Sequence, residues 1–166
     1  EPDPDGLGSL PHQAVRTTYN VDGQPTLVER GTVASQSDAA WAAFMPNAQV
    51  ATTYDANARK IAERTQAGGT TFALTSYSYD ARGRLECATQ RMNPAAFASP
   101  PGACSLGTQG SFGPDRITRN VYDAASQLIK VQKAVGTADQ ADDMTVTYTS
   151  NGQQATLTDG RSYRTT

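Results

Sequence analysis

The residues available for chemistry are few: one histidine, two cysteines, seven tyrosines and 16 carboxylates in 166 residues. His12 lies beside Pro11 in a segment with little regular patterning, and no serine near it forms a nucleophile motif. Acid pairs such as Asp142-Asp143, or Glu63 with a second carboxylate, are the groups that hydrolyse glycosides, but that chemistry needs a fixed carboxyl separation across the sugar, which no motif here specifies. Asp3-Pro4-Asp5-Gly6 begins like a calcium loop and lacks the remaining ligands. Catalysis, a bound metal and a cofactor are therefore not expected. Cys87 and Cys104 stand 17 residues apart and read as a disulfide, as two buried thiols, or as part of a zinc site. Zinc is disfavoured by the single histidine and the lack of a Cys-x-x-Cys pair. A bridge would restrict the unfolded chain by about 3 kcal/mol in the chain-entropy model. A disulfide is the expected state, and it implies an exported protein.

The tyrosines carry the stronger signal. Tyr79-Asp80-Ala81-Arg82-Gly83-Arg84-Leu85 combines an aspartate able to open a turn with a glycine three residues on that can take the left-handed conformation ending a type I turn with a bulge. Imperfect copies begin at Tyr19, Tyr54, Tyr122 and Tyr148, and the residue five after each tyrosine is always Gln or Arg: Gln24, Arg59, Arg84, Gln127 and Gln153. Gly23, Gly83 and Gly152 occupy the strained position in three copies; Ala58 and Ser126 replace them in the other two, whose turns are expected to be less regular. The separations of 35, 25, 43 and 26 residues describe a repeat array lengthened by insertions.

Around each turn, β-favouring polar-apolar mixtures predict antiparallel strands; 144–148, with Met144, Val146 and Tyr148 alternating with threonines, is the clearest. The expected fold is thus mainly β: consecutive antiparallel β-hairpins forming a strip or partial shell, with one or two short helices in the insertions. The whole of 1–166 reads as one array segment, with insertions at 31–49 and 88–114. In the first, Ser37 caps a short helix that Pro46 stops, with Trp41, Phe44 and Met45 on one face and Trp41 as its anchor. The second carries Pro94, Pro100, Pro101 and Pro114, with one helical turn after Asn93. A small polar helical turn or loop is expected at 137–143. The proline-bearing 1–11 reads as a connector, and Tyr163 as the start of a further turn.

Lys+Arg 14 against Asp+Glu 16, a net charge of -2 and a pI near 5.3 give no footprint for nucleic acid or an anionic membrane. No apolar run approaches the ~18–20 residues that span a bilayer, so membrane insertion is not expected.

The repeated Tyr-Asp-x-x-Gly-Arg-Leu pattern, best at 79–85 and degenerate at Tyr19, Tyr54, Tyr122 and Tyr148, resembles the signature of the RHS (rearrangement hot spot) or YD-repeat family. The resemblance implies hairpins in a long strip that winds into a hollow shell around a C-terminal toxin or effector polypeptide, in an exported bacterial protein, secreted or on the cell surface. It further implies a non-enzymatic scaffold whose partners are the rest of the same polypeptide and its effector. Tyr19, Tyr54, Tyr79, Tyr122 and Tyr148 would pack between hairpins, and Gly23, Gly83 and Gly152 would fix turns. The family's self-cleaving core is not matched, so no catalytic residue carries over. Two further expectations stand beside this. Exposed aromatics and the Gln/Arg column suit a surface glycan, and open strand edges suit self-association.

Overall fold

Each strand of the sheet hydrogen-bonds to its neighbours in sequence, so that eleven strands lie in chain order. The computed structural model describes residues 11–165. Asp3-Pro4-Asp5-Gly6 and the rest of the proline-bearing connector before Pro11 lie outside the described residues. The chain divides into two units within the fifth strand, after Leu74.

The first unit contains β1 (His12–Tyr19), β2 (Pro25–Val33), a five-residue helix α1 (Asp38–Ala42), β3 (Met45–Tyr54), β4 (Lys60–Ala67) and the start of β5 (Thr70–Tyr79). Strand registers follow from the turns: Thr17 opposes Val28, Leu27 opposes Ala51, and Ala51 opposes Arg64. The helix forms where expected, because the Ser37 hydroxyl accepts the Ala40 N–H and satisfies a donor of the first turn. Its anchor differs from the sequence expectation. Phe44, not Trp41, is buried, against Ala14 and Val33; Trp41 stays 38% exposed with its ring 6.0 Å from that of Phe44, and Met45 is already in β3 and exposed. The reason is length: α1 ends at Ala42, so Phe44 leaves the helix and folds back over the sheet. The Arg16 guanidinium lies 4.9 Å over the Phe44 ring and donates to Glu29 at 2.6 Å. At Gly31 a Cβ would stand 2.2 Å from the Met45 carbonyl oxygen, so only glycine lets β3 approach at the bulge there.

The second unit holds the remainder of β5, then β6 (Leu85–Arg91), a single 3-10 turn (Pro94–Ala96), β7 (Arg116–Tyr122), β8 (Leu128–Lys133), β9 (Ala141–Tyr148), β10 (Gln154–Asp159) and a two-residue β11 (Arg164–Thr165). Its apolar centre is Cys87, Ala103 and Ile117, with Cys104 and Val135 packed against them. Strands run further into both insertions than the sequence indicates. The excursions are 34–44 and 92–115, because pairing of β2 with β3 and of β6 with β7 continues past the expected breaks. Likewise 141–143 is the start of β9, paired with β8 through Gln132 and Lys133, rather than part of a polar turn.

Because a meander reverses at every strand, in each unit the turns after odd strands gather at one end of the strands and the other connections at the opposite end. In each unit the first end carries the turns of the tyrosine series, those after Tyr19 and Tyr54 in the first unit and those after Tyr79, Tyr122 and Tyr148 in the second.

Those turns are more alike than their sequences. Ala58 and Ser126 adopt φ of 61° and 69°, beside 78° to 79° for Gly23, Gly83 and Gly152, and close the same backbone bonds. The expectation of less regular turns fails because the turn's hydrogen bonds, not the residue in the strained position, dictate its shape. A left-handed non-glycine residue costs about 1–2 kcal/mol, and glycine gives back part of that through the unfolded chain's entropy. Ala58→Gly is therefore expected to raise stability by up to about 1 kcal/mol, read as a higher denaturant midpoint at unchanged slope.

Candidate functional site

The turn-bearing end is built from one unit of hydrogen bonding used repeatedly. In the Asp80 turn, the Asp80 N–H donates to the Arg84 carbonyl at 2.9 Å and the Gly83 N–H returns to the Asp80 carbonyl at 2.9 Å. The Asp80 Oδ1 accepts the N–H groups of Arg82 and Arg84, each at 2.9 Å, while Oδ2 takes the Arg84 guanidinium at 2.6 Å. Asp55 and Arg59 repeat this arrangement. In both turns the arginine hydrogen bond, followed by the backbone N–H groups, holds the aspartate below the ordinary carboxylate value. Asn20, Asp123 and Thr149 open the other three turns with uncharged or singly bonded versions.

A sixth turn of the same class follows β10, at Asp159-Gly160. Asp159 opens it, Ser162 takes φ 67°, and Tyr163 closes it, so Tyr163 ends a turn rather than starting one. This turn joins β10 to β11 and so lies at the other end of the strands.

Within each unit successive turns are cross-linked. The column residue reaches forward to the next turn: Gln24 Nε2 donates to the Ala58 carbonyl at 2.8 Å, Arg84 to the Asp123 carbonyl at 3.3 Å, and Gln127 Nε2 to the Gly152 carbonyl at 3.1 Å. The tyrosine reaches back. Tyr54 Oη donates to the Pro25 carbonyl at 3.1 Å, Tyr122 Oη to Leu85 at 3.1 Å, and Tyr148 Oη to Leu128 at 2.9 Å, in each case the residue after the column residue of the preceding hairpin. Arg84 also stacks 4.4 Å over the Tyr122 ring. Tyr79 is half-buried at the corresponding place before Asp80. Tyr19 differs: it is 60% exposed, because no hairpin among the described residues precedes it.

This placement makes one substitution informative. Tyr122→Phe deletes a hydroxyl bond and keeps the ring under Arg84, so a loss of about 1 kcal/mol is expected in a denaturant titration, whereas Tyr19→Phe leaves stability unchanged.

Cys87 and Cys104 are joined, with Cα atoms 5.3 Å apart. Glu86 lies near both sulfurs, but their bond to one another removes the thiolates a metal would need. Beneath the bridge lies a cluster that sequence reasoning missed. Arg91 and Asp115 are a buried ion pair at 2.7 Å, their side chains 3% and 5% exposed. The Arg91 guanidinium also donates to the carbonyls of Pro101, Gly102 and Ser105, and Asp115 accepts the N–H groups of Met92 and Gly107. The Thr89 hydroxyl donates to the Ala103 carbonyl. The available signal was alternation: Cys87, Thr89 and Arg91 are spaced to share one face of β6. Burial acts to raise the Asp115 carboxyl, and the Met92 N–H, the Arg91 guanidinium and the Gly107 N–H outweigh it, leaving it below its usual value.

The other sequence candidates are dispersed. His12 opposes Val33 in β1. Glu63 pairs with Lys60 at 2.9 Å and Asp142 with Lys130 at 2.7 Å; Asp143 stands 3.9 Å from Lys133. A cleft of about 460 Å³ opens beside Ile117, bordered by the 66%-exposed Phe112 and by Arg116, Lys133 and Asp139. Among the described residues no helix is long and apolar enough to cross a membrane.

The chain matches no family model and no curated protein.

The arrangement is therefore a set of turns joined to one another at their tips, with one excursion clamped by a disulfide and a buried ion pair.

Proposed function

We propose that the chain is a non-enzymatic structural scaffold, a stretch of β wall of the RHS or YD-repeat kind that encloses or displays a C-terminal toxin or effector polypeptide of the same protein. The observation that carries this reading is the two-way cross-link between turns. Tyrosine hydroxyls bond backward and Gln or Arg side chains bond forward, so that load applied to one hairpin passes to the next through several charge-assisted or neutral hydrogen bonds. The Cys87–Cys104 bridge supports placement in an oxidising compartment, either secreted or at the cell surface.

Protease protection in the natural polypeptide carrying this array tests the reading. A segment following the array is expected to resist digestion until the wall is unfolded by denaturant. Digestion of that segment at the same rate with the wall folded or unfolded would remove the enclosing role.

A second reading, surface glycan binding, draws on the exposed Trp41, Phe72 and Phe112. The Gln/Arg column offers it less than the sequence implied, since Gln24, Arg84 and Gln127 spend their donors on neighbouring turns. Binding on a glycan array that is abolished by Phe112→Ala would favour it.

A further inference from the structure

The cleft beside Ile117 is a built feature that takes no part in the junctions between turns. One wall is the excursion, where Gly110 and Gly113 bridge across a two-residue turn carrying Ser111 and Phe112, with Gly113 at φ 85°. That turn is seated: a Cβ at Gly110 would stand 2.9 Å from the Asn93 side chain, and Asn93 Nδ2 donates to the Thr108 carbonyl at 3.0 Å. The other wall is the connection between β8 and β9, fixed where the Val135 N–H donates to the Ile117 carbonyl at 3.3 Å and where Leu106 packs over Gly136. Asp115, next to Arg116, is pinned by Arg91 and by the N–H groups of Met92 and Gly107. The walls are therefore shaped before anything enters between them.

The charges in the cleft do not balance. Arg116 and Thr118 share one face of β7, and the register Arg119–Gln132 continues to place Lys133 across from Thr118. Among the described residues Arg116 has no carboxylate partner, and Lys133 has only Asp143, at 3.9 Å. Asp115 is spent on Arg91, which leaves Asp139 as the one uncommitted carboxylate in the lining. Phe112, Pro114 and Ala134 supply apolar surface beside these cations.

The geometry points to a binding site for a small monocarboxylic acid with an aromatic or apolar body, its carboxylate on Arg116 and its body against the Phe112 ring. A guanidinium without a counter-charge offers a planar fork of donors that takes one carboxylate at two points. The exposed Phe112 ring offers the stacking surface. A cleft of about 460 Å³ lies within the roughly 300–1,000 Å³ of small-molecule sites. Asp139 sets a negative charge against a second carboxylate, so diacids are disfavoured. The site uses neither the turn junctions nor an enclosed polypeptide, and it stands or falls apart from the scaffold reading.

Calorimetric titration of the oxidised chain with phenylacetate, and with phenylacetamide as its neutral counterpart of the same shape, tests it. The acid is expected to bind about tenfold more tightly than the amide, and Arg116→Gln to abolish that difference by weakening the acid alone. Phe112→Ala is expected to weaken the acid about fivefold. Both side chains are exposed, so the melting temperature of each variant stays that of the parent chain. Equal affinity for acid and amide, acid binding indifferent to Arg116→Gln, or no saturable binding of the acid at millimolar concentration overturns the inference. A glycan-array response lost in Phe112→Ala, from a chain that does not bind the acid, overturns it too and gives the cleft to the sugar reading.

Discussion

Asp115→Ala is expected to destabilise the second unit by about 3–5 kcal/mol, the cost of leaving a buried guanidinium without its counter-charge. Arg91 would retain the carbonyls of Pro101, Gly102 and Ser105, which solvate the cation but do not neutralise it. The Met92 and Gly107 N–H groups would also lose their acceptor inside the fold. Denaturant titration measures the effect. The double variant Arg91→Met with Asp115→Leu is expected to recover part of the loss, because two apolar side chains leave no unpaired charge; a double variant no better than the single one would put the energy in the loop's backbone bonds instead. The pair also predicts acid sensitivity. The folded Asp115 carboxyl titrates below its unfolded value, so its contribution is fully present above the ordinary carboxylate range, near pH 4, and is lost as pH falls through the depressed folded value. Asp55, Asp80 and Asp142 are shifted the same way and add to the loss in the same direction.

The second large effect belongs to the disulfide. Replacing both Cys87 and Cys104 by alanine frees a loop of 17 residues and is expected to cost about 3 kcal/mol. Alanine is the suitable replacement because Cys87 is fully buried and serine would place a hydroxyl in that apolar cluster. The ion pair holds the same excursion at Pro101, Gly102 and Ser105, on either side of Cys104, so the cysteine-free chain should keep the excursion docked. Hydrogen exchange in 100–108 reports this: moderate acceleration without the disulfide, and full exposure when Asp115→Ala is added. Full exposure from loss of the disulfide alone would mean the ion pair clamps nothing by itself.

The hairpins were legible because turn chemistry is local. Asp80 and Gly83 specify a reversal within five residues, and the strand bounds at Thr70 and Tyr79 follow from Gly68-Gly69 and Asp80. Trp41 was misjudged because periodicity counts positions along a helix and cannot tell that the helix stops before Phe44. The Arg91–Asp115 pair was illegible for another reason: its partners are 24 residues apart across a proline-bearing excursion, and nothing local distinguishes a buried arginine from a solvated one. The cross-links between turns lay between the two cases. The Tyr and Gln/Arg columns were visible as a pattern, but the direction in which each reaches is a property of strand order.

The repeat distance along the chain varies, yet each turn of the series keeps five residues from its tyrosine to its column residue. Most of the variation lies in the connections between hairpins, which range from Gly68-Gly69 to the excursion at 92–115, and the rest in strand length. The array thus behaves as a mounting rail: a peptide grafted between Gly68 and Gly69 would pay mainly for loop closure, about 0.6 kcal/mol for each doubling of length, and would ride on the strands without disturbing their registration.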